Sequence, residues 1–95
     1  MELSFSGKVW FWRGPAPWYF VVVPDNECAA IEAIATQASY GWGCIPARVR
    51  AGDTEWTTSL MPKDGGYLVP VKAAVRKVVG WDADDEVTVR LTIET

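Results

Sequence analysis

WTTSLMPKDGGYLVPVKAAVRKVVG, residues Trp56 to Gly80, is the stretch on which the fold turns. Thr57, Thr58 and Leu60 favour a strand, and Pro62 is read as its end, because proline gives no N–H to a ladder. Lys63-Asp64-Gly65-Gly66 is a turn in which glycine supplies positive φ without steric cost. Tyr67, Leu68 and Val69 run extended, since Pro70 drives the residue before it out of the α region. Pro70 suits a first helical position, where its missing N–H is an orphan in any case. Val71, Ala74, Val75, Val78 and Val79 then follow helical spacing as one apolar stripe, with Lys72, Arg76 and Lys77 opposite and Gly80 as the stop. Two local rules break here. Val69 falls at the capping position without a side-chain acceptor, and Lys72 sets a cation at the positive end of the helix dipole.

Outward from that stretch, the rest of the chain reads mostly as strand. Leu3, Phe5, Val9 and Phe11 alternate with Ser4, Ser6, Lys8 and Trp10, a strand over residues 3–12. A turn at Arg13 to Pro17 leads into Trp18 to Val23, an apolar run that reads as a strand covered on both faces or closed into a barrel. Asp25 is a candidate N-cap for a helix over 26–38, with Cys28, Ile31, Ile34, Ala35 and Ala38 facing inward. Cys44 to Arg50 is a further strand, in which Pro46 calls for an edge position or a bulge. Ala51-Gly52-Asp53-Thr54 turns it into the Trp56 strand. Val87, Val89, Leu91 and Ile93 alternate with Thr88, Arg90 and Thr92 as the last strand. The order is β-β-α-β-β-β-α-β. Two isolated helices among six strands do not make the repeated βαβ unit of a parallel sheet, so the predicted fold is mainly β, a six-stranded, largely antiparallel barrel capped by helices.

The totals narrow the function. Ninety-five residues suffice for one domain, residues 1–95, with a modest core. The net charge of -3 argues against a dedicated nucleic-acid binder, which needs a basic surface. No apolar run approaches the roughly 18 residues of a membrane span. The opening residues alternate like a strand and lack the basic-then-apolar order of a signal peptide, which makes the cytoplasm the expected compartment. Histidine is absent, so His-based triads and His metal sites are not available within the chain. Cys28 and Cys44 have no metal-type spacing and read as reduced, buried thiols. Six tryptophans suggest a small core filled with large side chains ahead of aromatic ligand surfaces.

The segments GWG (41–43), WTTSLMP (56–62), GYLVPVKAAVR (66–76) and DEVTVRL (85–91) resemble a bacterial family filed as domain of unknown function nineteen-hundred-and-five. FSGKVWFW (5–12) and WYFVVVP (18–24) extend the likeness over nearly the whole chain. The resemblance implies a double-split β-barrel capped by helices, an architecture shared with swapped-hairpin transcription regulators. It also implies that members occur alone or fused to a domain associated with bacteriocin protection, and it supplies no activity or cofactor. Pro46 and Asp84 depart from the family pattern, the first interrupting a strand and the second replacing a glycine-aspartate turn.

The candidate site gathers Lys72 and Arg76, spaced to share a helix face, with Thr58 and Ser59 on the preceding strand, the Tyr67 phenol and Trp42. Together they are expected to converge on a concavity and bind an anion there, as part of a non-catalytic module for a small anionic ligand or a protein segment. The bland reading is a solvated basic face beside ordinary strand threonines. A nucleic-acid-binding or regulatory role rests on fold analogy with swapped-hairpin barrels alone. Arg48 and Arg50 beside Trp42 and Trp56 would serve it by stacking. An enzyme would need Ser59 as nucleophile and Lys72 as base. Asp82, Asp84, Asp85 and Glu86 fit a solvated turn better than a metal loop, since the glycine of an EF-hand is missing.

Overall fold

The computed structural model describes residues 1–38 and 44–94, the side chains of 36–38 excepted. Its elements are β1 (Glu2–Trp12), β2 (Trp18–Val22), α1 (Asp25–Ala38), β3 (Ile45–Ala51), β4 (Thr54–Lys63), β5 (Gly66–Val71), α2 (Ala73–Val79) and β6 (Glu86–Thr92), the expected order. The strands close into a barrel in the order β1-β2-β5-β4-β3-β6. Every pairing is antiparallel.

The barrel is built from two sheets that share β1 and β4. Residues Glu2 to Lys8 of β1 pair with β6, and Val9 to Trp12 pair with β2. In the same way Thr54 to Leu60 of β4 pair with β3, and Met61 to Lys63 pair with β5. Each shared strand leaves one partner for another partway along, so the sheet splits at two places while no strand is left with a long open edge. Gly7 sits just before the β1 split. A β-carbon there would overlap the carbonyl oxygen of Val22, so only glycine permits this approach.

The split explains the prolines inside strands. Pro46 pairs with Ser59 on β4, whereas the β6 ladder reaches only Arg48 to Arg50. Pro62 pairs with Tyr67 on β5, past the last β3 pair at Ile45 and Leu60. Pro70 pairs with Phe20 on β2, past the last β4 pair at Leu68. Each proline therefore occupies a one-sided position, where a missing N–H costs no ladder bond. The edge position expected at Pro46 is created by stagger within a closed barrel. Pro62 does not end its strand, and Pro70 does not begin a helix. The carbonyl of Pro70 accepts a 3.1 Å hydrogen bond from Nε1 of Trp56, which satisfies the side of β5 that β4 no longer covers.

The hairpins follow their turn residues. Asp64 and Gly65 both have positive φ, 51° and 81°, as a two-residue type I′ turn requires. Gly52, at φ 58°, is the first central residue of the β3–β4 turn, the glycine position of a type II′ turn. Asp84 takes φ 72° in the loop before β6. The Asp85 carboxylate accepts from the Asp82 N–H at 2.9 Å, a local bond that accounts for the acidic cluster as a turn.

Inside the barrel, Val9, Val21, Ile45, Val49, Leu60, Val69, Val89 and Leu91 are less than 2% exposed, joined by Ile31 from α1. The innermost side chains are thus β-branched or leucine, with Phe5, Trp56 and Tyr67 beside them, and the expectation that the tryptophans fill the core is corrected. Trp56 alone among the described tryptophans lies in the core; Trp10 and Trp81 are half-buried, and Trp12 and Trp18 are exposed. A 95-residue barrel has too narrow an interior for several indoles, so they are displaced to its outer face and its ends. Cys28 and Cys44 are free thiols, the first buried and the second half-buried. Burial pushes the Cys28 thiol up, and its Sγ donates to the Val23 carbonyl at 3.2 Å.

Candidate functional site

The expected convergence of Lys72, Arg76, Thr58, Ser59 and Tyr67 does not form. The reason is the register of β5. Val71 pairs with Tyr19, so the strand continues through Pro70 and the helix begins only at Ala73. Lys72 becomes the N-cap, with extended φ and ψ of -63° and 149° and no side-chain capping bond. The cap is thus Lys72 rather than Val69. Lys72 lies outside the helix, at its cap, and does not line the groove that holds Arg76. The predicted apolar stripe shrinks accordingly: Val75 is buried, Ala74 is exposed and Val78 is 72% exposed.

The other candidates are dispersed. Thr58 pairs with Ala47 and lies in line with Trp56 and Leu60 on the inward face of β4, in a cleft with Arg48, Thr92 and Glu94. Ser59, one residue on, faces outward opposite Pro46. Tyr67 is buried, and its hydroxyl donates to the Glu32 carboxylate of α1 at 2.9 Å. Burial first, then that bond and the Glu32 charge, push its pKa up to about 12. Tyr67 is therefore a tie between β5 and α1. Trp42 lies outside the described residues.

Arg76 does line a groove, with different neighbours from those expected. Phe11, Pro17, Trp18 and Tyr19 of the β1–β2 hairpin face Val71, Ala73, Arg76 and Lys77 of the β5–α2 segment across a cavity of about 280 Å³. The cross-strand register sets Phe11 against Tyr19, with ring centroids 4.6 Å apart. The guanidinium carbon of Arg76 sits 4.0 Å from the centre of the Tyr19 ring, a cation–π contact. The αL residue Gly80, whose N–H returns to the Arg76 carbonyl at 2.8 Å, turns the chain so that Asp82 lies 3.6 Å from Arg76. That separation is an ion pair too long for a hydrogen bond. Nε of Arg76 is buried and has no acceptor among the described residues. Arg13, outside that lining, lies 5.5 Å from the Phe11 ring centre.

The sequence reading missed Trp18 and Tyr19 because it took the Trp18–Val23 run as covered on both faces or closed into a barrel, and it placed Phe11 only in the alternation of the first strand. Two prolines, Pro15 and Pro17, directly precede that run, and this is the available signal: they mark the tip of a hairpin, where aromatic residues are less covered than at mid-strand.

Fold and groove define a closed, six-stranded antiparallel split barrel with a cationic, aromatic-walled recess beside its short helix. The chain belongs to the family described as Domain of unknown function (DUF1905), whose family model matches residues 5–91. No curated protein matches it.

Proposed function

We propose that this domain is a binding module, and that its ligand joins a flat apolar body to a carboxylate. The observation that carries this reading is the Arg76 guanidinium, held against Tyr19 with a buried Nε–H that lacks an acceptor. A buried donor without a partner costs about 1–3 kcal/mol. The Arg76 side chain is 34% exposed, and a small shift that opens Nε to a carboxylate in the groove would recover that cost through a charge-assisted bond. Phe11, Trp18 and Tyr19 supply the aromatic walls, and Lys77 adds positive charge at the rim. At about 280 Å³ the groove suits a small ligand or a single side chain of a peptide. Among the described residues its lining holds no carboxylate, serine or cysteine; besides Arg76, its titratable side chains are Tyr19 and Lys77.

Calorimetric titration with a panel of aromatic carboxylates and peptides bearing a C-terminal aromatic acid tests the proposal. Arg76→Gln is expected to weaken binding roughly ten- to a hundredfold, the worth of one charge-assisted bond. Trp18→Ala should weaken it less, and Lys72→Ala, outside the groove, should leave it unchanged. The proposal is lost if the wild type binds nothing across the panel, or if Arg76→Gln binds as well as the wild type.

A further inference from the structure

On the outward face of the other sheet, the register sets Arg50 of β3 directly opposite Arg90 of β6. Like charges directly across an antiparallel pair repel, so this pairing is locally unfavourable. Ser4 of β1 continues the same row on the far side of Arg90. Glu55 completes the row opposite Arg50, yet its carboxylate lies 3.9 Å from Arg48 instead. Nε of Arg50 donates to the Gly52 carbonyl at 3.0 Å, which aims the guanidinium at the turn and away from Glu55. Arg90 has no ion pair, and Ser4 no side-chain hydrogen bond, among the described residues. Ser4, Arg50, Gly52, Thr88 and Arg90 border one concavity of about 260 Å³. Thr88 already shares a 2.8 Å hydrogen bond with Ser6. Of the nearby acids, Glu2 faces Thr92 in the next row, and Asp53 lines an adjoining recess that shares Gly52 and Thr88 with this one.

We propose that this concavity is a second site, independent of the Arg76 groove, and that it binds a phosphate group as inorganic phosphate or a phosphomonoester. Two guanidinium groups and a hydroxyl offer more donors than the two oxygens of a carboxylate can take up, whereas a tetrahedral dianion presents oxygens to all three. The bound charge would also remove the repulsion between Arg50 and Arg90.

The test is calorimetric titration of the full chain with inorganic phosphate, glycerol phosphate and a short oligothymidylate, against sodium chloride at matched ionic strength. Phosphate and the monoester should bind, and Arg50→Gln and Arg90→Gln should each weaken binding about tenfold or more. Both substitutions replace outward-facing strand side chains, so the melting temperature should change little, and Arg90→Gln should raise it in phosphate-free, low-salt buffer. Arg76→Gln should bind phosphate as the wild type does, which separates this site from the groove. Phosphate behaving like chloride would overturn the proposal, as would undiminished binding by both variants. Oligothymidylate binding without monoester binding would assign the face to a nucleic-acid strand instead.

Discussion

The two helices pack against the same barrel and differ in what they do there. The 14-residue α1 sends Ile31 and Cys28 into the core and is tied to β5 through the Tyr67–Glu32 bond. The 7-residue α2 buries only Val75, leaves Val78 72% exposed, and stacks its arginine on an aromatic ring of β2. On the α1 side, no buried side-chain polar atom among the described residues lacks a partner. The α2 side keeps a buried donor without an acceptor, beside an open apolar groove. Local rules that fail in a folded protein tend to fail where it works, and between the two helices the buried unpartnered donor found among the described residues lies beside α2.

The largest effect should come from the closed side. Ile31→Ala removes a fully buried side chain, which typically costs about 2–5 kcal/mol, and denaturant melts should show that loss with ligand binding at the Arg76 groove intact. A loss of under 1 kcal/mol would mean that α1 is no more integral than α2.

Tyr67→Phe is intermediate. It removes the donor to Glu32, which water can replace on that exposed carboxylate, so about 0.5–1.5 kcal/mol is expected. The pH dependence sharpens the test. Folding raises the Tyr67 pKa from 10.0 to about 12, so its contribution is fully present below pH 10. Above that the unfolded chain releases the phenolic proton first, and stability falls as pH rises towards 12. The difference in stability between wild type and Tyr67→Phe should therefore shrink across this window; a constant difference would show that the phenol is not held as described.

Val78→Ala should have the smallest effect, within about 0.5 kcal/mol, because the side chain has little burial to lose. A cost comparable to that of Ile31→Ala would remove the contrast between the helices. It would show that the exposed side of α2 is covered in solution, as a contact with a second copy would do.

Much of this molecule follows from short-range rules that its residues satisfy by themselves. The alternation in Val87 to Ile93, the Asp64-Gly65 turn and the inward face of Cys28 and Ile31 are local, because side-chain period and turn dihedrals involve only a few neighbouring residues. These determined the element order and, with it, the barrel. Pro70 was different. Its φ suits an extended strand and a first helical turn equally, and only pairing with Phe20 of β2 decides between them. That one decision moved Lys72 out of the helix and dissolved the expected site. The contacts that replaced it, Arg76 on Tyr19 and Arg50 against Arg90, join residues 57 and 40 positions apart. Only barrel closure and strand register bring such pairs together, since a slip of one residue would turn Tyr19, Arg50 or Arg90 to the opposite face of its sheet.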